Sequence, residues 1–522
     1  MNINKYILVF LAAISIRVSA VGAHPVDTLT AGGNPFVLEQ FKKTNPLAGL
    51  DNASAVMLGE RLLYADVSLG TEIGNGSFHR PQQPKRVNNY LFSAEGSAYL
   101  GSFYVSGGFR FQQAKEREVQ FNSIFNPYRG TPYIIADSTG GNWTKQSYAM
   151  WAKLASPFVN DRLSFGLTLG LDVNRGAKKI DPRPQSNTNR IDIAPSVTLR
   201  LAEKHSLSAS FLYSRFRENV NLMLYDSGES QKIYLLKGMG QYTYDIFSGN
   251  DRERKYAGDS YGAAVDYIFL SDRVSLVAGG KYNNYLEDAS DIENNKPRLR
   301  GRLYETDWQG YFHLTLKGNR AWHTVKASYA WQERSGREVI QVFNSSPEVN
   351  AWVMQSEAPR RSVVATSRAG IEYALYLSPT REGYHRWRFA VGSSWTDFSD
   401  DYKVLDSYIR YQSALTTLSV ERIIPGETCY FKIGLDGSYN GVWDRDVNYT
   451  VREENDQIIG EKLINPDYQI MTSHFVSGFL NLTAGYELKN DRSIWLKVGG
   501  GYLKTSDERS RTDFRVSLGY TF

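Results

Sequence analysis

The chain has 522 residues, of which 42% are apolar, 22% charged and 13% aromatic, with 34 Tyr, 25 Phe and 10 Trp beside 44 Gly. A formal charge of +5 is too near neutral for a nucleic-acid partner, and the single cysteine, Cys429, excludes an intrachain disulfide framework or a thiolate metal cage. The mean hydropathy of −0.41 argues against helical membrane spans, while the excess of Tyr and Gly favours β-structure with rings for interfacial girdles.

In chain order, Lys5, the apolar run Tyr6–Ile16 and the small residues around Ala20 and Ala23 read as a signal peptide over residues 1–23. The run is too short for a spanning helix, which takes about 20 apolar residues. Its removal takes away Lys5 and Arg17 and no acidic residue, so the formal charge falls from +5 to +3. Residues 24–60 form a periplasmic N-terminal segment. Asn34-Pro35 can start a helix, Phe36, Leu38 and Phe41 recur at mixed helical spacing, and a second short helix fits Asn52 to Leu58. Two readings stand: a tail packed loosely under the domain that follows, or a small plug entering it.

From residue 61 to 522 the pattern is strand, tight turn, strand, long polar loop. Leu163, Phe165, Leu167, Leu169, Leu171 and Val173 alternate with small and polar residues, as one face of a strand does. Val265, Tyr267 and Phe269 precede a turn at Ser271–Arg273, and Leu480, Leu482 and Ala484 precede one at Asn490-Asp491. Further short turns fall near Gly101, Asn160, Glu203, Gly318, Glu382 and Pro425. Long connections are expected over 114–142, 218–255, 335–360 and 441–469. The fold class is therefore all-β: a transmembrane antiparallel up-and-down β-barrel of about 18 strands, within a range of roughly 14 to 20, with short periplasmic turns and long extracellular loops. The closing strand places Phe514, Val516, Leu518, Tyr520 and Phe522 on one parity and Arg515, Ser517, Gly519 and Thr521 on the other.

Signal peptide, near absence of Cys, aromatic-rich hairpins and a terminal aromatic strand resemble the outer-membrane β-barrel proteins of Gram-negative bacteria. The long Tyr-, Asn-, Asp- and Arg-rich loops are similar to Bacteroidota barrels that are porin-like or accessory to TonB-dependent uptake systems. The resemblance implies location in the outer membrane, contact with its lipids and lipopolysaccharide, and Phe514, Val516, Leu518, Tyr520 and Phe522 as the signal read by the barrel-assembly machinery. It also implies, as a partner, a surface lipoprotein or a TonB-dependent transporter. The chain is not itself expected to be such a transporter, which has about 22 strands around a plug domain. The plug reading of residues 34–58 resembles the N-terminal hatch of fatty-acid transporters.

Motifs for chemistry are few. Gly258–Gly262 matches G-x-S-x-G, but it continues into an alternating strand where a nucleophile elbow needs a helix. His313 falls on inward parity and His323 on outward parity, so the two are not expected to share a metal. The acidic stretch Glu287–Asn294 fits no calcium-loop spacing and reads as a solvated loop. No catalytic residue, cofactor site or metal site is assigned. Parity assigns a charged lumen lining instead: Arg110, Arg200, Lys281, Arg388, Arg410, Lys432, Lys497 and Arg515, balanced by Glu95, Asp172, Asp192, Asp266, Glu372, Asp436 and Glu487. The functions left open are a pore or facilitated channel for small polar or amphipathic solutes, a non-conducting accessory barrel docking a partner through its loops, and more remotely an outer-membrane hydrolase.

Overall fold

The computed structural model describes residues 28–30, 34–225, 230–247, 252–293, 295–380, 383–450, 457–489 and 492–522. The expected signal peptide and the turn residues Glu382, Asn490 and Asp491 lie outside them. From Arg61 onward the two-residue alternation folds as eighteen antiparallel strands in one closed barrel. The first, Arg61–Gly76, pairs with the last, Ser510–Thr521, from Asp66 opposite Thr521 to Gly76 opposite Arg511. Every other barrel strand pairs with its neighbours in sequence. A short strand, Thr28–Thr30, runs parallel to Arg61–Leu63 at the start of the first barrel strand.

An even strand count puts both ends of the barrel on one side. Eight short connections lie on that side, after Leu100, Ala155, Arg200, Leu270, Lys317, Pro379, Pro425 and Leu488. These are the eight places where the sequence carries turn residues.

The opposite side departs from expectation. Long connections occupy 120–140, 224–251 and 449–474, but 335–360 is not a loop. Strands Ala321–Asn344 and Ala351–Pro379 run through it and leave only six residues, 345–350, as the turn. β-Branched residues on alternate positions, such as Ile340, Val342 and Val353, sustain pairing where polarity suggested a loop. Of the acidic stretch, residues 287–293 are likewise no solvated loop, since Val274–Glu293 is a strand in which Glu287 and Asp291 are buried.

Strand lengths run from 12 residues in the last strand to 29 in Ala351–Pro379, against about 9–11 needed to cross a bilayer. Exposed apolar side chains, among them Leu69, Phe165, Leu418, Leu435 and Leu518, form a belt on the outer face towards the short-turn end. Soluble monomers do not carry contiguous apolar surface on that scale, which belongs against lipid. The excess strand length rises beyond the belt as a collar on the long-loop side.

Candidate functional site: a lumen with a floor and a cap

The segment after the short N-terminal strand folds into the barrel. Asn34 caps helix α1 (Pro35–Thr44), its side chain accepting from the Phe36 N–H at 2.9 Å, and Pro35 suits the first turn because its missing N–H would be unbonded there. Apolar side chains leave α1 in two directions: Phe36 meets the Tyr384 and Tyr430 rings at 6.0 and 4.8 Å, and Leu38 packs on Leu62. Glu39 and Lys43, one turn apart, follow Phe36 at i+3 and i+7 and share its side of the helix. Lys432 Nζ lies 2.6 Å from Glu39, Lys43 Nζ 2.7 Å from Glu421, and Arg388 3.0 Å from Glu421. Lys42 pairs with Glu95 of the wall strand Arg86–Leu100.

Beyond α1, Leu47, Leu50 and Ala55 pack on Ile268 and Val277. The 3-10 turn Ala53–Leu58 sits on strands Leu163–Lys178 and Arg183–Arg200. Ser54 bonds Thr198 at 2.7 Å, and Thr168, Thr315 and Lys153 donate to the carbonyls of Asp51, Thr44 and Leu50 at 2.6–2.8 Å. Gly166 is required here, because a Cβ would collide with the backbone of Ala53 and Ser54. With Phe36, Leu47, Ala53 and Ala55 at 0–1% exposure, residues 34–59 are not a loose tail but a floor across the short-turn end.

Electrostatics lock this floor. Burial works to raise the Glu39 carboxyl, but Lys432, Lys43 and Lys497 outweigh it and hold the group far below the ordinary value of 4.5. Burial works to lower Lys43, yet Glu39 and Glu421 raise it above 10.5. The contribution of a depressed carboxyl is lost only as pH falls through its folded value, and that of a raised amine only as pH climbs through its own. The floor is therefore expected to keep its hold between about pH 5 and 10, checked by protease access to residues 45–52 across that window.

The other end is closed by the long connections folding inwards. Residues 120–140, the hairpin Gln231–Gly238 with Gln241–Phe247, and the helical turns Gly460–Ile464 and Asn465–Met471 (α2) join the collar in one apolar core. Phe121, Ile124, Tyr133, Tyr234, Leu463 and Tyr256 lie in it, at most 4% exposed. Gly301 makes room for the Tyr133 ring, which a Cβ would strike. Buried ion pairs fix the arrangement: Arg129 joins Glu218, at 3.2 Å, to Glu287, Arg254 holds Asp291 at 2.6 Å, Lys178 holds Asp137 at 2.8 Å, and Arg80 clamps Asp467. Arg129 also lies over the rings of Phe216 and Tyr256, at 4.8 and 4.5 Å.

Between floor and cap the wall is polar and charged. Outward parity is set by the exposed apolar residues of each strand. On that basis the strands place Glu95, Arg110, Asp172, Asp192, Asp266, Lys281, Glu372, Arg388, Lys432, Asp436, Lys497 and Arg515 inwards, with Arg200 and Glu487 inward at the short-turn rim. Several meet the floor: Glu95 takes Lys42, Lys281 takes Asp51 at 2.8 Å, and Lys432 takes Glu39. Others bond along the wall, as Asp436 does with Asn481 at 3.0 Å and Asp266 with Ser208 and Tyr311. Arg410 is a correction. Opposite Ser399 and Asp446, and bonded to Asp401 at 2.6 Å, it sits on the outer face of the collar. Its strand keeps Leu418 and Val420 outward on even positions, so Arg410 shares their side; above the lipid belt an outward charge meets water.

The sequence reading missed Glu39, Lys43 and Glu421, and the cap residues Arg129, Glu218 and Glu287. Glu421 was within reach, being opposite in parity to Leu418 and Val420. Glu39 and Lys43 are four apart on the segment with helical spacing. His313 faces inwards beside Thr315, and His323 bonds the outward Tyr373 at 2.8 Å. Gly258–Gly262 lies mid-strand in Arg252–Leu270, where Ser260 donates to Asn283 at 2.8 Å.

Fold and site together define a closed 18-stranded barrel with an apolar belt, a charged lumen and a stopper at each end. The chain belongs to the DUF6850 family, a family of unknown function, whose model matches residues 56–522. None of the curated proteins matches it in sequence. Among solved structures it is similar to BauA, the ferric preacinetobactin receptor of Acinetobacter baumannii, at 9% identity and a TM-score of 0.40, over 88% of this chain and 80% of that one. A Pseudomonas aeruginosa FadL homologue gives 14% identity and a TM-score of 0.33 over 92% and 94%. The ferric-catecholate import receptor Fiu of E. coli K12 gives 7% and 0.39 over 88% and 81%. At these values the likenesses carry no argument about function.

Proposed function

We propose that the chain is an outer-membrane barrel, with short turns in the periplasm and collar outside, whose lumen is a gated passage for small polar or amphipathic solutes. The observation that carries this is a charged interior of both signs, lying between two stoppers that are separate chain segments and not part of the barrel wall. A barrel serving only as an anchor has no need of such an interior, whereas a passage needs its wall wetted and its ends closed when idle. No catalytic role is assigned: the residues of the G-x-S-x-G match belong to a strand.

Planar-bilayer recording tests the reading. The intact barrel should give small or rare steps; Glu39→Gln with Glu421→Gln takes both carboxylates from Lys432 and Lys43 and should make the steps larger only where the cap is released as well. Porin-like conductance from the intact protein would overturn the gate. Orientation is tested separately: a protease site inserted at Asn344–Ser346 should be cleaved on intact cells, and cleavage only after permeabilisation would invert the topology.

A second reading, the accessory barrel docking a surface lipoprotein or TonB-dependent transporter, draws on the hairpin 339–358. It extends past the pairing of both neighbouring strands and exposes Ile340, Val342 and Val353. In either reading Phe522 contributes to assembly. Its backbone exchanges hydrogen bonds with Ala65 at 2.7 and 2.9 Å, and its ring meets Tyr520. Phe522→Asp is expected to leave the chain protease-sensitive in the periplasm. Normal levels of heat-modifiable barrel in the outer membrane would refute that role.

A further inference from the structure

Between the cap and one side of the wall lies a cavity of about 480 Å³, within the range of roughly 300–1,000 Å³ typical of small-molecule sites. Its ceiling is apolar and is assembled from three separate loop segments, through Ile134, Leu236 and Leu463. Its facing wall is formed by five consecutive strands, from Lys296–Lys317 to Ser407–Pro425, and carries Gln332, Arg334, Ser362, Thr366, Arg368 and Asp400. Two charged groups on that wall are not used by the fold.

Asp400 faces inwards, because Phe389 and Val391 of its strand face out. Its Oδ1 is buried without a hydrogen-bond partner among the described residues. The cation beside it, Arg80, is already committed to Asp467. With Oδ1 buried and Asp401 and Asp467 nearby, the ionised form of this group is costly unless a cation supplies donors to it. Arg368 also faces inwards, since Ile371 and Tyr373 face out, and it has no ion-pair partner among the described residues. It stands opposite Thr396, four residues along the strand from Asp400, or about 13 Å. That separation is between backbone positions, and a long arginine side chain is able to swing its guanidinium into part of it.

An anion-binding and a cation-binding group set apart by that distance, under an apolar ceiling, match one kind of molecule. We propose that this cavity binds a short zwitterionic peptide of two or three residues, its ammonium on Asp400, its carboxylate on Arg368 and its side chains beneath Ile134, Leu236 and Leu463. Three extended residues span about 10 Å, and guanidinium with carboxylate makes a paired hydrogen bond of fixed geometry. The proposal rests on reading the barrel as a passage and names its substrate class.

Calorimetric titration of the full-length barrel in detergent tests it, with Ala-Ala-Ala, its N-acetyl form and its C-terminal amide as probes. The free tripeptide should bind, and each blocked form about tenfold or more weakly, as for loss of one charge-assisted contact. Asp400→Asn should weaken the free tripeptide about tenfold and leave the N-acetyl form unchanged; Arg368→Gln should do the same with respect to the amide. Asp400→Asn keeps the shape and removes a buried charge, so heat-modifiable mobility should persist. Absence of tripeptide binding, or native affinity in Asp400→Asn, which would mean that water alone serves the carboxylate, overturns the proposal. Uptake of a neutral disaccharide into proteoliposomes, measured in parallel, separates the two claims. Peptide binding without flux of any solute sinks the passage and leaves the site; disaccharide flux without peptide binding sinks the site alone.

Discussion

Arg129→Met should release the cap. Arg129 is the cation shared by Glu218 and Glu287, whose side chains are 0% and 1% exposed. The two carboxylates keep a few donors when it goes: Ser186 and the Phe125 N–H for Glu218, and Tyr285 for Glu287. They lose their countercharge and gain each other's repulsion. Removing one partner from a buried ion pair costs on the order of 3–5 kcal/mol, which is large against the hold of a single loop. Residues 120–140 are therefore expected to leave the collar, seen as new protease cleavage near Asn126–Arg129 on intact cells and a lower temperature of heat-modification. Burial favours the neutral carboxyl, so acidification should partly restore the variant, and Glu218→Gln with Glu287→Gln should restore it at neutral pH. Protease resistance equal to the native protein's would show that the apolar core around Phe121 and Tyr133 holds the cap unaided.

Opening the lumen should take both ends. From sequence, deleting residues 34–58 is expected to suffice, the segment being the one candidate filler before the barrel. The cap changes that expectation. Deletion of 34–58 alone should still give small steps, and deletion combined with Arg129→Met should give large ones, because about 18 strands enclose a bore wide enough for water. Preference between anions and cations should be weak, since Arg110, Lys281 and Arg515 share the interior with Asp172, Asp192 and Asp436. Full conductance on deletion of 34–58 alone would mean that the cap does not seal. Silence of the combined variant would shift weight from the passage to the docking barrel.

The barrel wall is legible in the amino-acid order alone. A side-chain period of two is a local property, so Leu163 to Val173 and Phe514 to Phe522 announce strands and their faces without knowledge of any neighbour. Turn residues at eight places then fix the number of hairpins, and an even count closes the barrel with its ends together. The same parity assigns the named charges to the inner side, and Arg410 departs from it because inside and outside lose their lipid meaning above the belt. The filling of the barrel is settled only once distant segments meet. Arg129, Glu218 and Glu287 are about 70 to 160 residues apart in the chain, and no periodicity links a polar loop to the carboxylates that will bury it. Glu39 finds Lys432 in the same way, across nearly the whole chain. Polarity alone made 335–360 and 287–294 read as loops, because charged residues pair as well in a tall collar as they dissolve in water. Their fate depends on which arginine the fold brings to them.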